Sequence, residues 1–577
     1  MKSFLKWLAG VLAVFALLLL TFFIIISLLI DTTPKVVDNS YLHISLSGSI
    51  PEYTAADPLE EALGKVTIDI RRLRDNLEKA SVDKRINGVL LELNMLNIGY
   101  GKAQELHTLI QNYRKSGKKI YAYLGSDLAF TKDYYIASAC DSIYMAPNAN
   151  LFLTGISSEV TFYKDFFAKI GVEAEFAQIG KYKNAPDVYT RDSMSPYHRA
   201  VLENLLNYYY DHVVSTIAEK RGLNPDELEK LINTQTGFNG KQALQAGLID
   251  GTLFQQAVVE KLKITSKTPT RVPAADYSMI PPSSLKIRNQ SRIAVVNCVG
   301  TIASGSDSDD PLLGTISGAT SMVEHLRASA RSSSIKAIIL RIDSPGGSAS
   351  ASEVIWDAIR EARTKKPVIA SVSDYGASGG YYVAMAADSM ITSPGSLVGS
   401  IGIFAGKFNV QELYKKLGLH SETLKRGEHA AMFSINQPWS RSERAIIEGL
   451  IRSFYDEFVQ RVAEARNKDP KVIYDLAEGR VWTGQEAVNL GLFDHTGGFY
   501  DAVETAKKMA GIDSAESVRL IYYPKRKSLF NQLFAMVSTP YQTWSDQKNM
   551  ALHRLLNYLK DIQNRPLALM PFILEFN

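Results

Sequence analysis

The sequence predicts an α/β protein built from two copies of one mostly parallel domain, with a single apolar helix ahead of them. Three observations carry that expectation. Apolar strand-like runs alternate with helical periodicity along most of the 577 residues, the pattern of strand–helix–strand units. Three sequence blocks recur in the same order at nearly constant spacing, which marks an internal repeat. A run without charge at 7–30 is long enough to cross a bilayer once.

Taken in order, Lys2 and Lys6 precede that apolar run, and it stops at Leu28-Leu29-Ile30-Asp31 with no small-residue cleavage site. It therefore reads as an uncleaved signal anchor over 1–31, N-terminus in the cytoplasm and body on the far side of the membrane. Strands are expected at 42–46, 89–93 and 120–124, with helices at 68–79 and 103–115. The stretch 265–290, rich in Pro, Ser, Thr and Lys, reads as a linker. After it, 293–296 begins the series again. The expected units are thus 32–264 and 291–514, followed by an extension at 515–577 with no counterpart in the repeat.

The repeat can be aligned residue by residue. Y-Y-V-A-M-A-A-D-S at 381–389 matches Y-Y-I-A-S-A-C-D-S at 134–142, an offset of 247. I-K-A-I-I-L-R-I-D from Ile335 pairs with I-N-G-V-L-L-E-L-N from Ile86, and T-G-Q-E-A-V-N-L-G-L-F-D from Thr483 pairs with N-G-K-Q-A-L-Q-A-G-L-I-D from Asn239. Tyr381 and Tyr382 recur as Tyr134 and Tyr135, so they are expected to be core residues.

Composition excludes several functions. The chain is 46% hydrophobic and 21% charged with a net charge of +4, which fits a globular protein and gives no basic footprint for nucleic acid. Cys140 and Cys298 lie in apolar stretches and read as buried small hydrophobes. No metal-ligand or phosphate-loop pattern is present, so no cofactor is expected.

The chemistry concentrates at D-Y-G-A-S-G-G-Y-Y, 374–382. Ser378 sits in a glycine turn between an apolar strand (368–372) and a buried helix (381–387), and Gly376–Gly380 fits G-x-S-x-G. A serine at a helix start has backbone N–H groups nearby for a developing anion. Across the repeat, Ser378 falls opposite Thr131, in a half without the glycine pair, and Lys183 falls opposite Ala430. One half has the serine and the other the lysine, as a single site shared between them would require. A buried lysine loses its proton more readily and can serve as the base a serine nucleophile needs. Lys181 is the competing lysine; the repeat sets it opposite Glu428.

At A-S-G-G-Y-Y (from Ala377), D-S-P-G-G (from Asp343), G-S-I-G (from Gly399) and G-K-Y-K-N-A (from Gly180), the chain resembles the signal peptide peptidase A (protease IV) family in its long, two-domain form. The resemblance runs from the anchor to about residue 510. It implies tandem ClpP/crotonase-like domains and a Ser–Lys endopeptidase of the inner membrane that degrades cleaved signal peptides and similar apolar peptides, assembled as a homotetramer. By position it makes Ser378 the nucleophile and Lys183 the general base, with Ser400 orienting the lysine. It assigns the oxyanion hole to Gly347 and Gly379, with Gly346 as a further candidate. The chain departs from the family after the lysine, where Asn184 is followed by A-P-D-V-Y.

Two other readings compete. An α/β-hydrolase could use Ser378, Asp456 and a histidine such as His495 or His429, but it would leave the serine–lysine exchange between the halves unexplained. A non-catalytic crotonase-like scaffold would be expected to have lost one of Ser378, Lys183 or the Gly346-Gly347 turn, and all are present. For the tail, a membrane contact, an oligomer contact or plain packing would each account for the aromatic–basic run at 522–527, the periodicity at 550–562 and the apolar 567–576.

Overall fold

The protein is described by a computed structural model covering residues 34–55, 66–263, 267–285, 291–310, 314–525 and 567–569, with four single positions before residue 34. All but those four positions of the expected anchor at 7–30, and the expected helix at 550–562, lie outside the described residues. Among the described residues, no helix is long and apolar enough to cross a membrane.

Each half is built on six parallel strands in one order. In the first half the order is Thr270–Pro273, Ser40–Gly48, Ile86–Leu96, Lys119–Leu124, Ser142–Met145, Gly251–Thr252. In the second it is Arg519–Tyr523, Arg292–Ala303, Ile335–Ser348, Val368–Ala377, Ser389–Thr392, His495–Thr496. The strands are apolar nearly throughout because a parallel sheet is covered on both faces. Ile338, Ile339, Leu340 and Ile342 on one strand are all fully buried. Helices Tyr100–Arg114 and Ala349–Arg363 occupy matching places between the second and third expected strands.

The stretch expected to be a linker contains structure. Thr270–Pro273 is the outer strand beside Ser40–Gly48, and helix Ala274–Ser278 follows it. Likewise Arg519–Tyr523, expected to lie beyond the repeat, is the matching outer strand of the second half. Both were missed because a four- or five-residue edge strand carries too little periodicity to outweigh neighbouring proline, serine and lysine. The tyrosines before Pro524 serve packing: Tyr523 is buried, Tyr522 stacks on Tyr53 at 5.5 Å between ring centres, and the Tyr53 hydroxyl donates to the Pro524 carbonyl.

The halves interlock. Strand Glu173–Ile179 of the first half runs antiparallel to Ile403–Asn409 of the second, pairing seven residues with seven. Ala177 and Ile179 enter the second half's core, while Ala377, Leu397 and Val481 enter the first half's. Asp374 extends the junction by accepting from the Gly99 and Lys102 backbone N–H groups at 3.0 and 2.8 Å. It thereby caps helix Tyr100–Arg114, whose own Gly99 has no side chain to do so.

Candidate active site

Ser378 ends strand Val368–Ala377 and opens helix Gly379–Ala384. Its φ of +55° lies in the left-handed region, a conformation that a side-chain-bearing residue adopts only where its surroundings impose it. The surroundings here are its N–H, donated to the Gly399 carbonyl at 2.7 Å, and its carbonyl, accepting from Tyr382 at 2.8 Å. Tyr381 and Tyr382 beneath it are fully buried, as are their counterparts Tyr134 and Tyr135 to within 2%.

Lys183 arrives from the other half, four residues past the strand that crosses over. Its Nζ lies 2.8 Å from Ser378 Oγ, 3.0 Å from Ser400 Oγ and 3.2 Å from the Ser400 carbonyl. All three residues are fully buried. Burial alone pushes the Lys183 amine well below the usual lysine range. Among the described residues, no carboxylate is a hydrogen-bond partner of its Nζ. Lys181 instead points outward, 46% exposed and paired with Glu478 at 2.8 Å. That partner raises its pKa.

A neutral amine matches this environment in donors and acceptors. Its two N–H bonds can go to the Ser400 carbonyl and hydroxyl, leaving the nitrogen lone pair to accept the Ser378 hydroxyl proton. His495 is exposed on its two-residue strand, and the Ser378 hydroxyl has Lys183 as its partner. Among the described residues, no histidine is a hydrogen-bond partner of Ser378 Oγ.

Gly346 and Gly347 sit in the last turn of strand Ile335–Ser348 beside the serine turn. Gly346 has φ +107° and donates its N–H to Ser344 Oγ at 3.2 Å. A Cβ on Gly347 would lie 2.0 Å from the Ile302 carbonyl oxygen, so packing alone demands glycine there. The Gly379 N–H is among the first of its helix, a position without an intrahelical acceptor.

Two features were not read from the sequence. The loop Glu478-Gly479-Arg480 holds the lysine segment: the Tyr182 N–H donates to the Glu478 carbonyl at 2.9 Å, and the Ser400 N–H to the Arg480 carbonyl at 2.7 Å. Behind the serine turn lies a buried ionic cluster. Arg341 contacts Glu52 at 2.9 Å and Glu105 at 2.6 Å, and Lys102 contacts Asp343 at 2.6 Å and Asp374 at 3.4 Å. Burial pushes the Asp343 carboxyl up to about 6, against the pull of Lys102. A charge inside an apolar strand run, as in I-I-L-R-I-D, was the available signal. A cavity of about 1210 Å³ borders this cluster, and neither Ser378 nor Lys183 lines it.

Comparison with known proteins agrees with this architecture. The model of peptidase family S49 matches residues 112–268 and 360–513, one stretch in each half, and that of the Clp protease family matches 315–396. The chain is 33% identical to the chloroplastic serine protease SPPA of Arabidopsis thaliana, over 84% of this chain and 72% of that one. It is 30% identical to Protease 4 of Salmonella typhi over 81% and 78% of the two chains, and 30% identical to Protease 4 of Haemophilus influenzae over 75% and 72%. With two matched stretches spanning over half its length and relatives of this extent, the chain belongs to peptidase family S49 and is a serine protease.

Proposed function

We propose that the chain is a Ser–Lys endopeptidase that degrades cleaved signal peptides and similar apolar peptides at a membrane. The observation that carries this reading is the 2.8 Å contact between Lys183 Nζ and Ser378 Oγ in a fully buried setting. Lys183, held neutral by burial, takes the Ser378 proton as Oγ attacks the substrate carbonyl. Gly379 and Gly347 offer N–H groups to the oxyanion, while the Gly346 N–H beside them is taken by Ser344 Oγ. The lysine then protonates the leaving amine, and water hydrolyses the acyl-enzyme with the same residue as base. Ser400 keeps the amine aimed at Ser378. The expected anchor at 7–30 would hold the body on the far face of the inner membrane, near the apolar peptides released there.

The test is hydrolysis of a fluorogenic, leucine-rich peptide by wild type and by Lys183→Ala, Ser378→Ala, Lys181→Ala and His495→Ala. Loss in the first two and retention in the last two is the expected result. Retention in Lys183→Ala with loss in His495→Ala would replace the dyad with a histidine hydrolase.

We also propose a homo-oligomer, with a tetramer as the expected form. The crossover strand supports it. Residues 420–426, the repeat counterpart of Glu173–Ile179, form no strand, and Leu424 there is 98% exposed. The counterpart of the accepting strand, 156–162, also forms none. A second copy can supply the pairing that each lacks within one chain. Light scattering on the detergent-solubilised chain should give a closed multiple of the 63.9 kDa protomer; a monomer would refute this.

A further inference from the structure

Two backbone irregularities lie side by side just before the serine turn. Between strands Ile335–Ser348 and Val368–Ala377, Ile342 is opposite Val372 and Ser344 is opposite Gly376, so a two-residue step on one strand spans four on the other. On its far side Ile335–Ser348 shifts again, with Val299 opposite Asp343 and Thr301 opposite Gly346. Bulges bend a strand and re-aim the residues that follow. Here those residues are Gly346 and Gly347 on one strand and Ser378 on the next.

Two buried carboxylates hold the bulged region. Asp343 accepts from the Tyr375 N–H at 3.1 Å, standing in for a ladder carbonyl across the shift. Asp374, inside the bulge, accepts from the Gly99 and Lys102 N–H groups of the first half. The cation between them is Lys102, its Nζ 2.6 Å from Asp343, 3.4 Å from Asp374 and 3.7 Å from Glu52. Burial lowers the Lys102 amine, but the three carboxylates outweigh it and hold it above the usual lysine range, so it stays charged. The helix start that carries it presses on the bulge: a Cβ on Gly101 would lie 2.5 Å from the Ser373 carbonyl oxygen.

The repeat shows that the fold does not require this arrangement. Strands Ile86–Leu96 and Lys119–Leu124 pair from Gly88 to Glu92 with no shift. Asp343 and Asp374 fall opposite Asn94 and the exposed Asp127, and Lys102 falls opposite Ala351. The bulge and its cation belong to the half that carries the serine.

We propose that Lys102 is a positioning residue for the reaction: it ties Asp343 to Asp374 across the junction and so fixes the spacing between the Gly347 N–H and Ser378 Oγ. This rests on the reading of Ser378 as nucleophile and Gly347 as an oxyanion donor. Lys102 touches neither; it acts through the two carboxylates.

The experiment measures kcat and KM on the fluorogenic leucine-rich peptide with the full chain in detergent, and checks each variant's fold by circular dichroism. Lys102→Met should lower kcat by about 10²-fold, the scale for misplacing reacting groups by about 1 Å, with KM within about twofold. Lys102→Arg, which keeps the cation, should recover most of that loss. The triple variant Lys102→Met, Asp343→Asn, Asp374→Asn leaves neither carboxylate without its cation and keeps both side-chain acceptors, yet it should still lose kcat because nothing ties the strands together. Wild-type kcat in a folded Lys102→Met or a folded triple variant overturns the inference and leaves the Ser–Lys reading standing. A kcat loss that Lys102→Arg does not recover, a loss confined to KM, or failure of both charge-removing variants to fold also overturns it. Activity retained in Ser378→Ala, run alongside, overturns the reading beneath it as well.

Discussion

The two halves share six parallel strands in one order, yet only the second carries a glycine turn with a left-handed serine, and only the first sends a lysine across the junction. At the counterpart of Ser378 the first half has Thr131, the first residue of helix Thr131–Ala137, whose hydroxyl accepts from the Thr154 N–H at 3.2 Å. At the counterpart of Lys183 the second half has Ala430, exposed to solvent. The strand scaffold survives either change because its stability comes from buried Val, Ile and Leu, which both halves keep. What duplication allows is for each copy to specialise one edge. The proposed shared site then exists only where the two copies lock together, so on that proposal catalysis and the interlock are tied to the same contacts.

The largest effects should follow the catalytic side of this comparison. Ser378→Ala and Lys183→Ala should each lower kcat/KM on the leucine-rich peptide by about 10⁴-fold, the scale for losing a member of a serine protease's catalytic group. Thr131→Ala, the same change in the other half, should leave kcat/KM within about twofold, as expected of a residue outside the chemistry. Equal losses at Thr131 and Ser378 would break the division of labour.

A second contrast lies inside the sheets. Arg341 and Glu92 occupy equivalent strand positions, but Arg341 is 2% exposed between Glu52 and Glu105, whereas Glu92 is 22% exposed and contacts His43 at 3.0 Å. Arg341→Ala leaves two buried carboxylates without their cation and should cost about 3–5 kcal/mol in urea unfolding. Glu92→Ala should cost about 1 kcal/mol or less. The large cost belongs to the junction, since Glu52 and Glu105 come from the other half.

The strand–helix alternation, the duplication and the serine–lysine exchange were legible because each leaves a local or repeated signal: apolar runs, glycine pairs, and blocks 244 to 249 residues apart. The edge strands Thr270–Pro273 and Arg519–Tyr523 were not, because their pairing is decided by the neighbouring strand. Gly479 shows the same limit. With φ +76° and a would-be Cβ 2.6 Å from Lys183 Cβ, its importance lies in what presses against it, and nothing in E-G-R announces that. The glycine at 347 was read as functional, and the close approach of Ile302 gives it a packing reason as well.

Gly479 supplies the next test. At offset 244 the first half has Gln235, a residue with a side chain, where no lysine segment has to fit. Gly479→Ala imposes a left-handed conformation on alanine, costing about 1–2 kcal/mol. It also pushes the lysine segment outward; a displacement of the order of 1 Å can cost about 10²-fold in rate. The expected result is a kcat loss of that order, with KM changed little, if the lysine serves the chemistry as proposed. A variant with unchanged kcat would show that the loop can shift without moving Lys183.

The smallest effect is the most direct probe of why the lysine is buried. Its folded pKa lies well below 10.5 through burial. Between that value and 10.5 the unfolded chain therefore binds a proton that the folded chain does not. In this window wild-type stability rises with pH and is lost as pH falls. Lys183→Met removes the titration while keeping most of the side chain's length. It should be about 1 kcal/mol more stable than wild type near pH 7, the scale of relieving an active-site strain, and the gain should shrink toward pH 10.5. The kcat/KM of wild type should rise with pH through the same depressed pKa, as the amine becomes a base. Ala430→Lys, at the matching exposed position, should alter neither the stability slope nor the rate profile. A Lys183→Met variant with the wild-type pH slope would mean that the amine is charged in the folded protein, and a charged amine cannot take the proton from Ser378.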